Sequence, residues 1–298
     1  MRQATLLAGG LGFGEGPRWR DGKLWFSDIR NKQVMTVDLT GRVEPVVEVE
    51  GQPSGLGWLP DGHMLIVSML DRRVLRIESG RLIEHADLSD IAGGPCNDMV
   101  VDMQGRAYVG NFGFDPLAFS GERVFSTAFR RNPERYYQDS DLPTATIIRV
   151  DPDGTVSVVA EELRAPNGSV ITPDGRTLIV AESLDPCLTA FEIGTDGSLS
   201  NRRVWAQFSK SAPTICPDGI CLDAEGAVWV ADALSNDCLR VAEGGEILDR
   251  VSTGLSCVAC MLGGPGRKTL FLMANKFGED GHAQVEVIEV DVPGAGYP

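Results

Sequence analysis

The chain has 298 residues, of which 42 are acidic and 27 are basic, and its formal net charge at pH 7 is −15. This acidity disfavours nucleic acid and anionic membranes as partners, because each phosphate contact needs a Lys or Arg to displace a counterion. A hydrophobic share of 43% together with 35 glycines is typical of a folded protein with many turns, and it excludes a disordered chain.

Targeting signals and cysteine usage indicate the compartment. No apolar run approaches the roughly 18 residues of a membrane span, and glycines interrupt the short apolar stretch at the N-terminus. The seven cysteines are an odd number, so we predict reduced thiols and a cytoplasmic protein. Cys257 and Cys260 form a C-x-x-C pair, but residues three apart in a regular strand face opposite sides. We therefore predict neither a metal site nor a redox site at this pair.

A tight-turn pattern between apolar, β-rich runs recurs six times along the chain. Its turn glycines are Gly22, Gly62, Gly105, Gly175, Gly226 and Gly266. Such turns between alternating strands indicate hairpins, because glycine accepts a positive φ. A second turn follows in the first five units, at Gly41, Gly80, Gly154, Gly197 and Gly245. Four short strands in about 40 residues are typical of a β-propeller blade.

These repeats predict an all-β protein, a single domain over residues 1–298 that forms a six-bladed propeller of four-stranded blades. We expect the ring to close by pairing of an N-terminal strand at residues 4–9 with the last blade at residues 285–292. A sandwich or an open solenoid is the alternative architecture, but neither accounts for the regular pairs of turns.

The third unit is longer than the others. Its two turns lie 49 residues apart, compared with 18 to 22 in the other units, which predicts an insertion at about residues 112–141. The insertion is rich in aromatic residues, and i,i+4 spacing at residues 124–129 favours a short amphipathic helix. We interpret the insertion as a lid over the site; a dimer contact or ordinary surface packing is the alternative.

The first strand of each propeller blade lines the central channel. One equivalent place in each blade is found by counting back from its first turn glycine. The count is seven residues in the first unit and eight in the others. The residues there are Glu15, Ser54, Asn97, Asn167, Asp218 and Val258. Two carboxylates and two amides converging on one axis would be costly to bury without a cation. Oxygen donors favour a hard ion, Ca²⁺ first, with Mg²⁺ or Mn²⁺ as alternatives. Ordinary Asn-Gly and Asp-Gly turns are the competing interpretation.

Over nearly its whole length the sequence resembles the gluconolactonase, senescence marker protein and luciferin-regenerating enzyme family of six-bladed propellers. The resemblance is carried by GEGP (14–17), NDMVVDMQGRAYVGN (97–111), PNGSVITPDGRTLIVAES (166–183) and PDGICLDAEGAVWVAD (217–232). It implies one divalent metal ion held by Glu15, Asn167 and Asp218. It also implies that Asn97 contacts the substrate or a metal-bound water.

The expected function is a metal-dependent hydrolase that opens a lactone. The ion, Ca²⁺ or else Zn²⁺, Mn²⁺ or Mg²⁺, would polarise the carbonyl group while Asp218 activates water and Asn97 positions the reactants. The loops that return to the same end of the channel supply candidate substrate contacts at Met69, Asn111, Phe112, Phe114 and Glu182. We expect a monomer or a weak homo-oligomer.

Two departures from the family pattern bear on the substrate. Pro95 stands where sugar-lactone hydrolases of the family often have an arginine, and the aromatic insertion is longer than the usual lid. We therefore predict a lactone that is larger or less polar than a simple sugar lactone. Hydrolysis of another ester or a phosphotriester at the same site, and a non-catalytic calcium-binding or docking propeller, are the alternatives.

Overall fold

The fold was analysed in a computed structural model, which describes residues 2–114, 132–210, 214–277 and 282–296. The helix predicted at residues 124–129 and much of the predicted insertion lie outside these described residues.

The described chain is built almost entirely from strands, which form six antiparallel sheets in sequence order. Two strands precede the first blade: β1 (Arg2–Gln3) and β2 (Thr5–Leu11). Blade one contains β3 (Gly14–Arg20), β4 (Lys23–Asp28), β5 (Gln33–Val37) and β6 (Val43–Glu48). Blade two contains β7 (Pro53–Trp58), β8 (Met64–Ser68), β9 (Arg73–Glu78) and β10 (Arg81–Asp87). Blade three contains β11 (Cys96–Val101), β12 (Ala107–Asn111), β13 (Ala145–Val150) and β14 (Val156–Leu163).

The remaining blades repeat this order. Blade four contains β15 (Pro166–Ile171), β16 (Thr177–Glu182), β17 (Cys187–Ile193) and β18 (Leu199–Gln207). Blade five contains β19 (Pro217–Leu222), β20 (Val228–Asp232), β21 (Asp237–Val241) and β22 (Ile247–Ser252), with β1 added in parallel at its outer edge. Blade six contains β23 (Ser256–Gly263), β24 (Thr269–Asn275) and β25 (Ala283–Glu289), and β2 completes it.

Ring closure occurs where the sequence predicts it. Strand β2 pairs antiparallel with β25, with Thr5 opposite Val287, so the N-terminal strand supplies the outer strand of the last blade. The six-bladed propeller of four-stranded blades is thereby confirmed. Within the described ranges the helical elements are α1 (Pro133–Tyr137) and a 3-10 turn at Pro265–Arg267. None of the helices described is long and apolar enough to span a bilayer.

The turn glycines behave as predicted. All eleven have positive φ, and they connect first to second or third to fourth strands. Their spacing therefore defines the blades.

Each innermost strand carries an irregularity at the same place. The register between first and second strands shifts at Glu15/Arg18, Pro53/Leu56, Cys96/Met99, Pro166/Ser169, Pro217/Ile220 and Cys257/Ala259. A β-bulge breaks the regular alternation of side chains and redirects them, often beside a functional site. The predicted axial residues all lie within these bulges.

The same irregularity corrects the expectation for the C-x-x-C pair. The thiol of Cys238 interacts with those of both Cys257 and Cys260, so the two face the same neighbour. The expectation of opposite faces was wrong because it assumed a regular strand, whereas β23 is bulged between Cys257 and Ala259. The Sγ atoms of Cys221 and Cys260 are 3.7 Å apart, and all seven cysteines are buried and free of disulfides.

Candidate functional site

The predicted axial residues lie at one end of the channel. Glu15, Asn97, Asn167 and Asp218 are each the second residue of an innermost strand, and neighbouring innermost strands contact one another around the ring. Their exposed fractions are only 9%, 7%, 8% and 8%. The fold thus buries two carboxylates and two amides at equivalent positions of four blades.

Close approach of the innermost strands requires a small residue after most of the axial positions. A Cβ atom on Gly168 would lie 2.5 Å from the backbone nitrogen of Ile220, and one on Gly219 would lie 2.6 Å from Cα of Ala259. Both separations are too short for a real side chain. The glycines of the Asn-Gly and Asp-Gly motifs lie within β15 and β19 and serve interstrand packing, so these dipeptides are not ordinary turns.

The two axial carboxylates are close enough to perturb each other. Burial, followed by the charges of Asp218 and Asp98, raises the pKa of Glu15 well above its usual range. Burial and the charge of Asp98 likewise raise the pKa of Asp218, while a hydrogen bond with the Asn167 side chain opposes the increase. The structure therefore brings Glu15, Asn167 and Asp218 together and adds a third carboxylate, Asp98, that the sequence argument missed.

Several buried polar atoms at this end of the channel lack a hydrogen-bond partner among the described residues. They are Oδ1 of Asp218, Oδ1 of Asp98 and Nδ2 of Asn97. An unsatisfied buried polar group costs about 1–3 kcal/mol, and more if it is charged. Mutually repelling carboxylates with an unpartnered oxygen are what a bound cation would stabilise.

The donor set fits a hard divalent ion. Glu15 and Asp218 offer carboxylate oxygens and Asn167 an amide oxygen, which are the ligands that Ca²⁺ and Mg²⁺ prefer. In the part of the chain that is described, no group of three or more His, Cys, Asp or Glu side chains has the geometry of a metal site. The fit thus depends on a mixed set of two carboxylates and one amide.

Asn97 and Asn167 are oriented by hydroxyl groups. Oδ1 of Asn97 accepts a hydrogen bond from Oγ of Ser54 at 3.3 Å, which leaves its unpartnered Nδ2 as a donor. Nδ2 of Asn167 donates to Oγ of Ser183, and this hydroxyl donates to the carbonyl of Pro217 at 2.7 Å. Asn97 is therefore fixed by the neighbouring blade two, whereas Asn167 is fixed within blade four by a serine that is itself bonded to blade five.

The predicted substrate contacts Met69, Phe112 and Phe114 lie at the same end of the propeller. The carbonyl of Met69 accepts a hydrogen bond from the backbone N–H of Cys96 at 3.1 Å, next to Asn97. Phe112 and Phe114 are buried in one apolar cluster with both tyrosines of α1. Their contact with substrate stays a prediction.

Two further aromatic residues at this rim were missed. The rings of Phe13 and Phe277 meet edge to face with centroids 5.6 Å apart. The only sequence signal was that Phe13 stands two residues before Glu15. Both are partly buried and pack against the apolar cluster that contains Phe112 and Phe114.

The remaining predicted contacts are hydrogen-bonded within the protein. Nδ2 of Asn111 donates to the carbonyl of Thr146 at 2.9 Å, and its Oδ1 accepts from Gly113. The Glu182 carboxylate accepts from the backbone N–H of Arg164 at 2.6 Å and from the Thr189 hydroxyl. Both side chains are almost fully buried, and their direct contact with substrate also stays a prediction.

Known proteins resemble this chain over most of its length. A pentonolactonase, XacC of Haloferax volcanii, is 27% identical over 278 residues, covering 91% of this chain and 84% of its own. Regucalcin of Danio rerio is 24% identical over 283 residues, covering 91% and 85%. The structure of a calcium-binding protein, regucalcin from Agrobacterium tumefaciens, superposes with a TM-score of 0.74 at 20% identity and covers 98% of this chain and 97% of its own.

The family model described as the SMP-30/gluconolactonase/LRE-like region matches residues 13–276, from two residues before Glu15 to the residue after β24. This span includes every axial residue of the site. The chain therefore belongs to the SMP-30/gluconolactonase/LRE-like family.

Proposed function

We propose that the protein is a divalent-metal-dependent hydrolase that opens lactones at the axial end of the channel. The observation that carries this proposal is the burial of Glu15, Asn167 and Asp218 around unpartnered polar atoms. The pentonolactonase among the relatives supports a lactone as the substrate class. The calcium-binding relative supports Ca²⁺ as the first ion to test.

In this proposal Glu15, Asn167 and Asp218 hold the ion. When bound, the ion would supply Lewis acidity to the lactone carbonyl and stabilise negative charge on its oxygen. Asp218 keeps one carboxylate oxygen without a hydrogen-bond donor among the described residues, so this oxygen can accept a proton from the attacking water.

Asn97 orients the reactants. Its Nδ2 donor is buried, and no described residue accepts from it, so it can donate to an oxygen of the substrate or of water. The hydrogen bond that its Oδ1 accepts from Ser54 fixes the amide in the orientation that presents this donor. Asn97 therefore positions the reactants without changing charge.

The rim supports a lactone with apolar substituents. Phe13, Met69 and Phe277 lie within two residues of strand ends at this end of the propeller, and all three are only partly buried. An apolar substituent would remove some of their apolar surface from water, with a gain of about 25 cal/mol per Å². A simple sugar lactone would leave the same surface without a complementary partner.

The test is a panel of aliphatic lactones, sugar lactones and aryl esters, assayed on metal-free protein with Ca²⁺, Zn²⁺, Mn²⁺ or Mg²⁺ added separately. We expect turnover of lactones only with metal, and a loss of about 10²–10⁴-fold in kcat for Asp218→Asn. Asp153→Asn is the matched control, because Asp153 is an exposed turn residue whose Oδ1 accepts from Thr155 at 2.9 Å. Metal binding without turnover of any substrate would favour a binding propeller instead.

A further inference from the structure

The innermost strands carry few charged side chains. In β3, β7, β11, β15, β19 and β23 they are Glu15, Arg18, Arg20, Asp98 and Asp218. Arg20 lies at the opposite end, over the ring of Trp58 at 4.9 Å, and pairs with Asp21 in solvent. The other four are buried, so three carboxylates and one guanidinium share the interior of the channel.

Arg18 and Asp98 are exceptions to the sixfold repeat. Arg18 stands three residues after Glu15, and the same offset in the other blades gives Gly57, Val100, Val170, Cys221 and Met261. Asp98 stands one residue after Asn97, and that offset in the other blades gives Gly16, Gly55, Gly168, Gly219 and Ala259. Blade architecture therefore requires neither charge, and each occurs once.

The two side chains meet across blade two. Nη2 of Arg18 donates to the carbonyl of Met99 at 2.5 Å and lies 4.0 Å from Oδ1 of Asp98. Blade two leaves room for this contact, because a Cβ atom on Gly55 would lie only 2.4 Å from the backbone nitrogen of Met99. Arg18 thus links the innermost strand of blade one to that of blade three.

Among the described residues, the cavity that Arg18 lines is too small for an exogenous counter-ion. The cavity that Arg18 lines with Val100, Ser169 and Ile220 has a volume of about 10 Å³. That is room for at most one water molecule. Burial raises the pKa of Asp98 and the charge of Arg18 opposes the increase, so the guanidinium favours the ionised carboxylate.

We propose that Arg18 is a positioning residue that acts as the internal counter-cation of the axial site. On the innermost strands, three carboxylates and one guanidinium leave two negative charges uncompensated, which matches one divalent ion. Asp232 of β20 also acts on Asp218 through its charge, but its carboxylate is held by hydrogen bonds from the backbone N–H groups of Cys216 and Leu234 and from the Ser235 hydroxyl. Arg18 holds Asp98 in place as an anion beside the site, and the pair sets the charge that the ion must neutralise. This inference rests on the metal-binding part of the proposed function.

The test compares Ca²⁺ with Tb³⁺ by calorimetry and by lanthanide luminescence, using metal-free wild type and four variants. Asp98→Asn leaves Arg18 without its carboxylate, and we expect Ca²⁺ to bind about 10- to 100-fold more weakly, the usual cost of removing a group that supports a metal ligand. In Arg18→Met a third negative charge is uncompensated, which favours the trivalent ion. We therefore expect the ratio of Tb³⁺ affinity to Ca²⁺ affinity to be about tenfold higher in this variant than in wild type.

The double variant Arg18→Met/Asp98→Asn restores two negative charges. We expect its Ca²⁺ affinity to recover to within about threefold of wild type, which is the non-additivity expected of residues in contact. Arg18→Lys keeps the charge and should keep the wild-type Tb³⁺ to Ca²⁺ ratio. Circular dichroism of each metal-free variant checks that it is folded. If Arg18→Met does not fold, the two single variants Asp98→Asn and Arg18→Lys still test the counter-cation role.

Additive losses in the double variant, or a Tb³⁺ to Ca²⁺ ratio in Arg18→Lys that equals that of Arg18→Met, would overturn the counter-cation role. Failure of wild type to bind any divalent ion would overturn it too. Metal binding with the expected variant effects but without lactone hydrolysis would support the counter-cation role and overturn only the proposed catalysis.

Discussion

The hydroxyl of Ser183 accepts a hydrogen bond from Nδ2 of Asn167 at 3.1 Å. The same hydroxyl donates to the carbonyl of Pro217, the residue before Asp218, at 2.7 Å. One serine therefore connects two of the three proposed ligands, and groups of this kind orient ligands in known metal sites.

Replacing this hydroxyl tests its orienting role. We expect Ser183→Ala to lower Ca²⁺ affinity about 10-fold, with little change in the fold, because Asn167 loses the group that fixes its amide. Ser68→Ala is the control: this buried serine of blade two donates to Asp71 at 2.8 Å, and the axial residue of its blade, Ser54, is not a proposed ligand. Equal affinities in the two variants, measured by calorimetry, would contradict the role.

Removing an axial carboxylate should stabilise the metal-free protein. Glu15 is buried among like charges that raise its pKa, so Glu15→Gln relieves both repulsion and part of the desolvation. We expect the free energy of unfolding in EDTA to rise by about 1–3 kcal/mol. We also expect the thermal shift on adding Ca²⁺ to disappear. A variant that is less stable than wild type in EDTA, yet still shifted by Ca²⁺, would count against a ligand role for Glu15.

Metal affinity should depend on pH in a defined direction. The pKa values of Glu15 and Asp218 are raised in the folded protein above the unfolded values of about 4.3 and 3.9. Stability from these groups is fully present below the unfolded pKa values and is lost as pH rises through the folded ones, since the folded state binds more protons in between.

A bound cation needs both carboxylates ionised, so binding competes with these protons. We expect Ca²⁺ affinity to increase from about pH 5 to about pH 8, with fewer protons released at the higher pH. Calorimetry in buffers of different ionisation enthalpy measures both quantities. A constant affinity over this range would show that the raised carboxyl groups do not bind the ion.

The contact between blades five and six predicts a packing effect close to the site. A Cβ atom on Gly219 would lie 2.5 Å from Cβ of Ala259, so Gly219→Ala must displace one of the two innermost strands. We expect a loss of about 1–3 kcal/mol in the free energy of unfolding, together with weaker metal binding because Asp218 is adjacent. Gly9→Ala is the control, because its Cβ would meet only Leu6 Cδ1 at 3.9 Å. We expect it to change neither the free energy of unfolding, measured with denaturant, nor the metal affinity, measured by calorimetry.

The repeat explains why so much of the fold could be predicted. The turn glycines define six blades because each hairpin needs a positive φ at the same place, and this phase also identifies the axial residues. Arg18 and Asp98 could not be predicted in this way, since both depart from the repeat and meet only through the curvature of the ring. Cys257 and Cys260 differ from the prediction because a bulge has no signal in a period-two pattern.

The rim was predicted less completely, for a physical reason. Loop positions such as Asn111 and Glu182 could be located from the strand order, but the partners of their side chains depend on tertiary contacts. Asn111 bonds to Thr146 across the blade-three loop, and Glu182 to Thr189 on the next strand. A residue's place at the channel end therefore does not reveal whether its side chain is available to a substrate.

The most direct test of metal-dependent lactone opening is the hydrolysis rate of one aliphatic lactone by EDTA-treated protein, measured as Ca²⁺ is added. We predict a saturable increase in rate with a midpoint equal to the calorimetric Kd, and no increase in Asp218→Asn. A rate that is the same in EDTA and at saturating Ca²⁺, or that persists in Asp218→Asn, would contradict metal-dependent hydrolysis at the axial site.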